Sequence, residues 1–403
     1  MLAKSVLRSS VVAIALLTAL LVSCKAQSKE AFTFSESPGP LPVGLEVVQQ
    51  YERSRSFDPS ATSTILARPE EQVRPIQTLV WYPAADAAKG RSMTVGDYTK
   101  LLETETSFNK PFLTKESADM IAGLRPALES HMRAFQDAPR RAGRYPVVIY
   151  APSRSAPSWE NADLCEYLAS YGYVVISSPG ASGGPRTADL AMANEQAKDI
   201  SFLIDFSRTL PDTDISAVAV IGYSWGGLSN LFAAARDNRI GALVALDGSM
   251  RYEPELIQEA GDVQPSKIKL PLLYFAEGNF TLEEIASQYD DSKKGMHLNP
   301  EALNQWTGGD CIIVYMLGLI HEEFSSMSQR DENVWKVYAE SHKADYTRAD
   351  GTIGYALIAR YTLNFLNAYL KHDAAGSEFL KRTPAENGAP PHTVQVSFRT
   401  AKR

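Results

Sequence analysis

The chain has 403 residues, with 47 acidic against 40 basic side chains, a formal charge of −7 and three cysteines. This balance offers no basic surface of the kind that holds nucleic acid, and three cysteines are too few for a disulfide framework. The length suits one large domain carrying an insertion.

Lys4 and Arg8 form a short basic start, followed by the uninterrupted apolar run VVAIALLTALLV at 11–22. A membrane-crossing helix needs about 20 apolar residues. This shorter run reads instead as the hydrophobic part of a secretory signal peptide over residues 1–23. It leads into Leu21-Val22-Ser23-Cys24, which resembles the bacterial lipobox. That resemblance implies cleavage before Cys24, a diacylglyceryl thioether on its sulfur and an acylated amine. The mature chain would then sit on an envelope membrane, facing the periplasm or the exterior, since several acyl chains anchor more firmly than one. Removing Lys4 and Arg8 takes the formal charge from −7 to −9. Residues 24–40 read as the anchor and a solvated tether, leaving 41–403 for the domain. Cys165 and Cys311 lack metal-ligand spacing and read as small buried hydrophobes.

Within the domain, 44–57 and 74–85 read as two strands, antiparallel and at the sheet edge. From 86 to 143 the pattern is helical, with candidates at 95–105 and 115–135, as expected of an inserted cap over the carboxyl edge of a sheet. From 145 onward short apolar runs alternate with helical stretches. The runs are 145–152, 171–180, 215–224, 240–248, 268–278 and 311–321, with helices at 159–171, 190–209 and 225–236 between them. This alternation predicts an α/β fold with a mostly parallel central sheet and helices on both faces. A long helix follows at 353–371, with Ile358, Tyr361, Phe365 and Tyr369 toward the sheet. The tail PHTVQVSF reads as a marginal last strand.

Gly222-Tyr223-Ser224-Trp225-Gly226 joins a strand to a helix, the setting of a nucleophile elbow. Glycines are needed there because strand and helix approach too closely for β-carbons. A nucleophilic serine requires a histidine base and an acid to orient it. Of the six histidines, His321 alone directly follows a strand-like run. His131 lies in the insertion, His297 and His342 in polar segments, and His372 and His392 near the end. Two acids end strands after the serine helix, Asp247 in ALDG and Glu277 in FAEG. The His-Glu-Glu-Phe-Ser stretch beginning at His321 lacks the second histidine of a zinc-protease motif.

GYSWGG, then ALDGSM, then IHEEF, with an early Trp81-Tyr82-Pro83, together resemble the platelet-activating factor acetylhydrolase branch of the dienelactone-hydrolase-like proteins, over about 44–380. The resemblance implies an α/β-hydrolase fold, Asp247 as the triad acid with Glu277 as the alternative, and short acyl groups. It departs after the third strand, where the family's His-Gly-x-Gly is replaced by Pro152-Ser153-Arg154-Ser155. Backbone N–H groups of Arg154 and Trp225 remain able to form an oxyanion hole. The Arg154 side chain is either a solvated charge or a contact to an anionic substrate group. The expected activity is hydrolysis of a small-molecule or lipid carboxylic ester through an acyl-enzyme, with no metal or organic cofactor required. Amide or peptide hydrolysis shares that chemistry, and a non-catalytic binding lipoprotein on the same scaffold is the alternative from another class.

Overall fold

A computed structural model describes residues 32–56, 73–105, 107–108, 113–180, 189–278, 301–338 and 347–402. Its centre is an eleven-stranded sheet in the order β11-β10-β9-β8-β7-β5-β6-β2-β1-β4-β3. The parallel heart comprises β5 (Tyr145–Ala151), β6 (Val174–Ser177), β7 (Thr213–Tyr223), β8 (Ala242–Leu246), β9 (Leu272–Glu277) and β10 (Cys311–Met316). These are the runs expected from residue 145 onward. Their side chains alternate between two cores. In β7, Ala219 and Ile221 face one cluster, while Val218 and Val220 face the other. A sheet covered on both faces requires this double apolarity.

Helices α3 (Ala162–Ser170) and α10 (Arg348–Leu370) close one face, and α4 (Leu190–Ser207) and α5 (Trp225–Ala234) the other. In α10, Ile358, Tyr361 and Phe365 are buried in the core and Tyr369 is partly buried against it, as the helical period requires. β11 (Val394–Arg399) pairs antiparallel with β10 at the far edge. Cys165 and Cys311 are free and buried.

The other side of the sheet departs from expectation. β1 (Val43–Ser56) and β2 (Val73–Pro83) are antiparallel, with Leu45 opposite Trp81, but they do not form the edge. The inserted segment supplies two further strands, β3 (Arg91–Thr94) and β4 (His131–Gln136), and β3 is the outermost. Only α1 (Val95–Lys100) and α2 (Lys115–Leu124) of the expected long helices form. Pro126 follows α2 at the start of a 3-10 turn, and Met132 and Ala134 then alternate inward at strand period. The insertion therefore widens the sheet as well as reaching its carboxyl edge. There Glu105 accepts hydrogen bonds from Ser158 N–H (3.0 Å) and Oγ (2.7 Å).

The expected tether is also corrected from Phe32 onward. Phe32 is 7% exposed, its ring centroid lies 5.5 Å from that of Tyr355, and Phe34 packs edge-on to Tyr167 at 5.5 Å. Glu36 pairs with Arg360, and the Gly39 N–H donates to Ser170 Oγ at 2.8 Å. Two aromatics spaced i, i+2 on an extended segment present one apolar side to α3 and α10, so this stretch is docked rather than solvated. The signal segment and Cys24 lie outside the described residues.

The docked segment reaches α8 (Ser326–Arg330), whose Arg330 guanidinium stacks over the Phe32 ring at 4.8 Å. Arg330 also forms a two-pronged ion pair with Asp163 of α3, the side chains 9% and 8% exposed, one contact at 2.8 Å. Arg330→Met should cost about 3–5 kcal/mol in urea unfolding, because it strands a buried carboxylate. The double variant Asp163→Leu/Arg330→Met should recover most of that loss. Equal stability of single and double variants would contradict this account.

Candidate functional site

The site is assembled where β7 gives way to α5. Ser224 sits between them at φ 51° and ψ −117°, a strained conformation for a side-chain-bearing residue. The surrounding glycines are required by contact. An added β-carbon at Gly226 would lie 2.0 Å from the Ala151 carbonyl oxygen, one at Gly222 2.2 Å from the Gly226 oxygen, and one at Gly227 2.4 Å from Gly248 Cα. Ser224 is further fixed by its N–H, which donates to Leu246 O at 3.0 Å. Its carbonyl accepts from Gly227 N–H at 2.9 Å and Ser249 N–H at 2.8 Å.

His321 begins a 3-10 turn (His321–Phe324) five residues beyond the end of β10, so the expected strand to 321 ends early, at Met316. Its Nε2 lies 2.9 Å from Ser224 Oγ and its Nδ1 2.6 Å from Asp247 Oδ2. Tyr223 steadies the imidazole, its ring centroid 5.4 Å from it and its hydroxyl donating to His321 O at 2.9 Å. Tyr252 meets the ring edge-on at 6.1 Å. Ser224 and His321 are partly exposed, so the pair is open to solvent on one side.

Asp247 directly follows β8 at φ 40° and is fully buried. Besides His321, Oδ2 accepts the Tyr252 hydroxyl at 2.8 Å, and Oδ1 accepts the Glu277 N–H at 3.1 Å. The buried Arg251 guanidinium stands 3.5 Å from Oδ1. Glu277 thus meets the cluster through its main chain, and the carboxylate bonded to His321 is that of Asp247. Burial pushes Asp247 toward its neutral form, but the hydrogen bond and charge of His321, with Arg251, outweigh it and hold the carboxyl below its ordinary range. Burial likewise disfavours a charged His321. The hydrogen bond and charge of Asp247, aided by Glu322 and Glu277, prevail and raise the imidazole above its ordinary value. Glu277 is pushed up to about 7 by burial and by the charge of Asp247.

Trp225 opens α5, where N–H groups have no acceptor within the helix. No hydrogen bond among the described residues engages the Arg154 N–H, and the Arg154 side chain is exposed. Behind that loop Glu160, 2% exposed, accepts from Ser153 N–H (2.9 Å), Ser153 Oγ and Tyr150 OH (3.1 Å). Burial raises Glu160 to about 7 against those hydrogen bonds. His131, His372 and His392 are exposed and remote in the chain from this cluster, while His297 and His342 lie outside the described residues. No group of three or more His, Cys, Asp or Glu residues converges as metal ligands would among the described residues. Tyr252, Arg251 and Glu160 escaped the sequence reading. Only the proximity of Tyr252 and Arg251 to Asp247 in the chain could have hinted at them, and Glu160 carries no local signal.

The sheet order, the strand–serine–helix junction and the helices on both faces define an α/β-hydrolase fold. A solved structure of a ferulic acid esterase from Streptomyces cinnamoneus shares it, with a TM-score of 0.63 over 91% of this chain and 99% of its own, at 17% identity. No family model matches the chain. An uncharacterised protein of Pseudomonas aeruginosa is 26% identical over 179 residues, which are 42% of this chain and 45% of that relative. The chain therefore matches less than half the length of that relative.

The electrostatics give a direct test. In NMR titration the His321 ring should show a pKa above the ordinary imidazole value of 6.5. Asp247→Asn should lower it, because the largest forces favouring the charged ring are lost while burial remains. An unshifted or rising pKa in that variant would contradict the pairing.

Proposed function

We propose that the protein is a serine hydrolase of carboxylic esters, with Ser224 as nucleophile, His321 as general base and Asp247 as the acid that orients it. The observation that carries this reading is the continuous chain from Ser224 Oγ through His321 to Asp247, at 2.9 Å and 2.6 Å. In this reading His321 Nε2 takes the Ser224 proton as Oγ attacks the ester carbonyl. The N–H groups of Trp225 and Arg154 face the oxyanion, and the imidazolium, stabilised by buried Asp247, returns its proton to the departing alcohol. Water, deprotonated by the same ring, then releases the acyl group and restores Ser224. A binding protein on the same scaffold has no use for a strained serine hydrogen-bonded to an oriented imidazole.

The substrate class we favour is small esters with short acyl groups, on the acetylhydrolase resemblance of the elbow and ALDG sequences. The fold neighbour named for ferulic acid esters keeps aromatic acyl groups within reach of the same chemistry. Hydrolysis of p-nitrophenyl esters should fall on the order of ten-fold in kcat/KM from acetate to octanoate, the scale set by a few misfitting methylenes. Ser224→Ala and His321→Ala should each lower kcat by at least about 10⁴-fold, and Asp247→Asn by on the order of 10⁴-fold. Because the base must be neutral, kcat/KM should rise with pH through a midpoint above 6.5, the side to which His321 is shifted. Activity that survives Ser224→Ala would reject the reading.

We also infer export and lipid anchoring through Cys24, on the strength of the LVSC sequence after an apolar run. Expressed in a bacterial host, the chain should partition with membranes and carry acyl mass on the Cys24 peptide. Cys24→Ala should abolish both. Unmodified Cys24 in the mature protein would remove the anchor.

A further inference from the structure

We propose that Glu160 is the positioning residue that fixes the Ser153–Arg154 peptide as an oxyanion donor, in place of the glycines this loop lacks; the inference rests on the serine-hydrolase reading above. Around that peptide the Pro152 carbonyl, the Ser153 N–H and carbonyl, and the Ala156 N–H and carbonyl are all engaged. The Pro152 carbonyl accepts Gln196 Nε2–H at 2.8 Å, and the side-chain oxygen Oε1 of the same Gln196 accepts the Ser229 hydroxyl at 3.0 Å. Ser229 lies on α5, so this link ties the loop to the helix that begins beside the nucleophile. The Ser153 carbonyl accepts the Ala156 N–H at 3.2 Å and packs against Gly180, where an added β-carbon would lie 2.1 Å away. A trans peptide is planar, so fixing the Ser153 carbonyl aims the Arg154 N–H the opposite way.

Glu160 closes the arrangement from beneath. Its two carboxylate oxygens take the Ser153 N–H and hydroxyl, while Tyr150 supports one of them. Two oxygens gripping one residue restrain rotation about the loop as a single hydrogen bond does not. The main chain of Glu160 also reaches the other side of the site. Its carbonyl accepts Met327 N–H and Ser325 Oγ, both at 3.1 Å, in the segment just after His321. The next residue, Asn161, accepts the Ser326 N–H at 2.8 Å and donates to Phe324 O at 3.1 Å. One turn before α3 thus holds both the loop that faces the oxyanion and the loop that carries the base. A glycine-rich loop achieves its shape through conformational freedom. Here side-chain hydrogen bonds hold it, and Ser155 takes the one left-handed position at φ 57°.

The test compares wild type with Glu160→Ala and Glu160→Gln, reading kcat and KM on p-nitrophenyl acetate. Inhibition by a trifluoromethyl ketone is measured beside them, because its hemiketal oxyanion mimics the transition state. Glu160→Ala should lower kcat on the order of 100-fold, as loss of an oxyanion donor does. KM should move by less than about three-fold, and ketone affinity should fall in step with kcat/KM. Glu160→Gln should restore most of the rate, since its amide oxygen still accepts the Ser153 N–H and its NH₂ reaches Ser153 Oγ. A merely structural residue would change folding and KM without this split or rescue. Should Glu160→Ala not fold, Ser153→Ala removes one donor to the carboxylate and should lower kcat by about ten-fold. Unchanged kcat in whichever of these two variants folds, or Gln no better than Ala, overturns the inference alone. A wild-type protein inert toward both ester and ketone overturns the hydrolase reading and this inference with it.

Discussion

Three backbone segments meet at Gly226 and Gly227 more closely than any β-carbon would permit. The Ala151 carbonyl at the end of β5 presses on Gly226, and Gly248, just after Asp247, presses on Gly227. This contact sets the spacing of everything that follows. It brings the loop after β5, the serine at the start of α5 and the aspartate after β8 to one edge of the sheet. A methyl group at either glycine would force these segments apart, and backbone has little freedom to yield. The strained φ of Ser224 and of Asp247 is stored at the same junction.

On that frame the electrostatics are local and consistent in sign. A fully buried carboxylate is unfavourable unless its oxygens are occupied. Asp247 meets the condition with Tyr252, the Glu277 N–H, the neighbouring Arg251 and His321. The resulting ionised group raises the basicity of His321, and the imidazole in turn favours the ionised carboxyl. Charge and hydrogen bonding overcome burial at both partners, whereas at Glu277 burial and the nearby Asp247 charge win. Two acids close to each other are therefore driven apart in character by which one touches the ring.

Much of this was legible in the sequence because parallel strands buried on both faces write themselves as continuous apolar runs. The six central strands, the helices between them and the serine junction all lie in such text. His321 was legible by its place after the last run, although β10 stops at Met316 and a short loop carries the residue onward. The acid was ambiguous because Asp247 and Glu277 both end strands, and only the path of the main chain shows which side chain turns toward the ring. The insertion misled for a different reason. His131–Gln136 mixes charged and apolar residues within six positions, and its pairing with β1 is a long-range choice without local signature. The docking of Phe32 and Phe34 and the grip of Glu160 on Ser153 are likewise tertiary, set by partners far along the chain or around a turn.

In the proposed reaction Ser224 is made nucleophilic by His321 and Asp247. The most direct measurement is reaction of the soluble protein beginning after Cys24 with a fluorophosphonate, followed by peptide mass mapping. Covalent modification at Ser224, lost in His321→Ala and slowed more by Asp247→Asn than by Glu277→Gln, is the predicted result. A folded protein left unmodified at Ser224, or one modified equally well without His321, would contradict it.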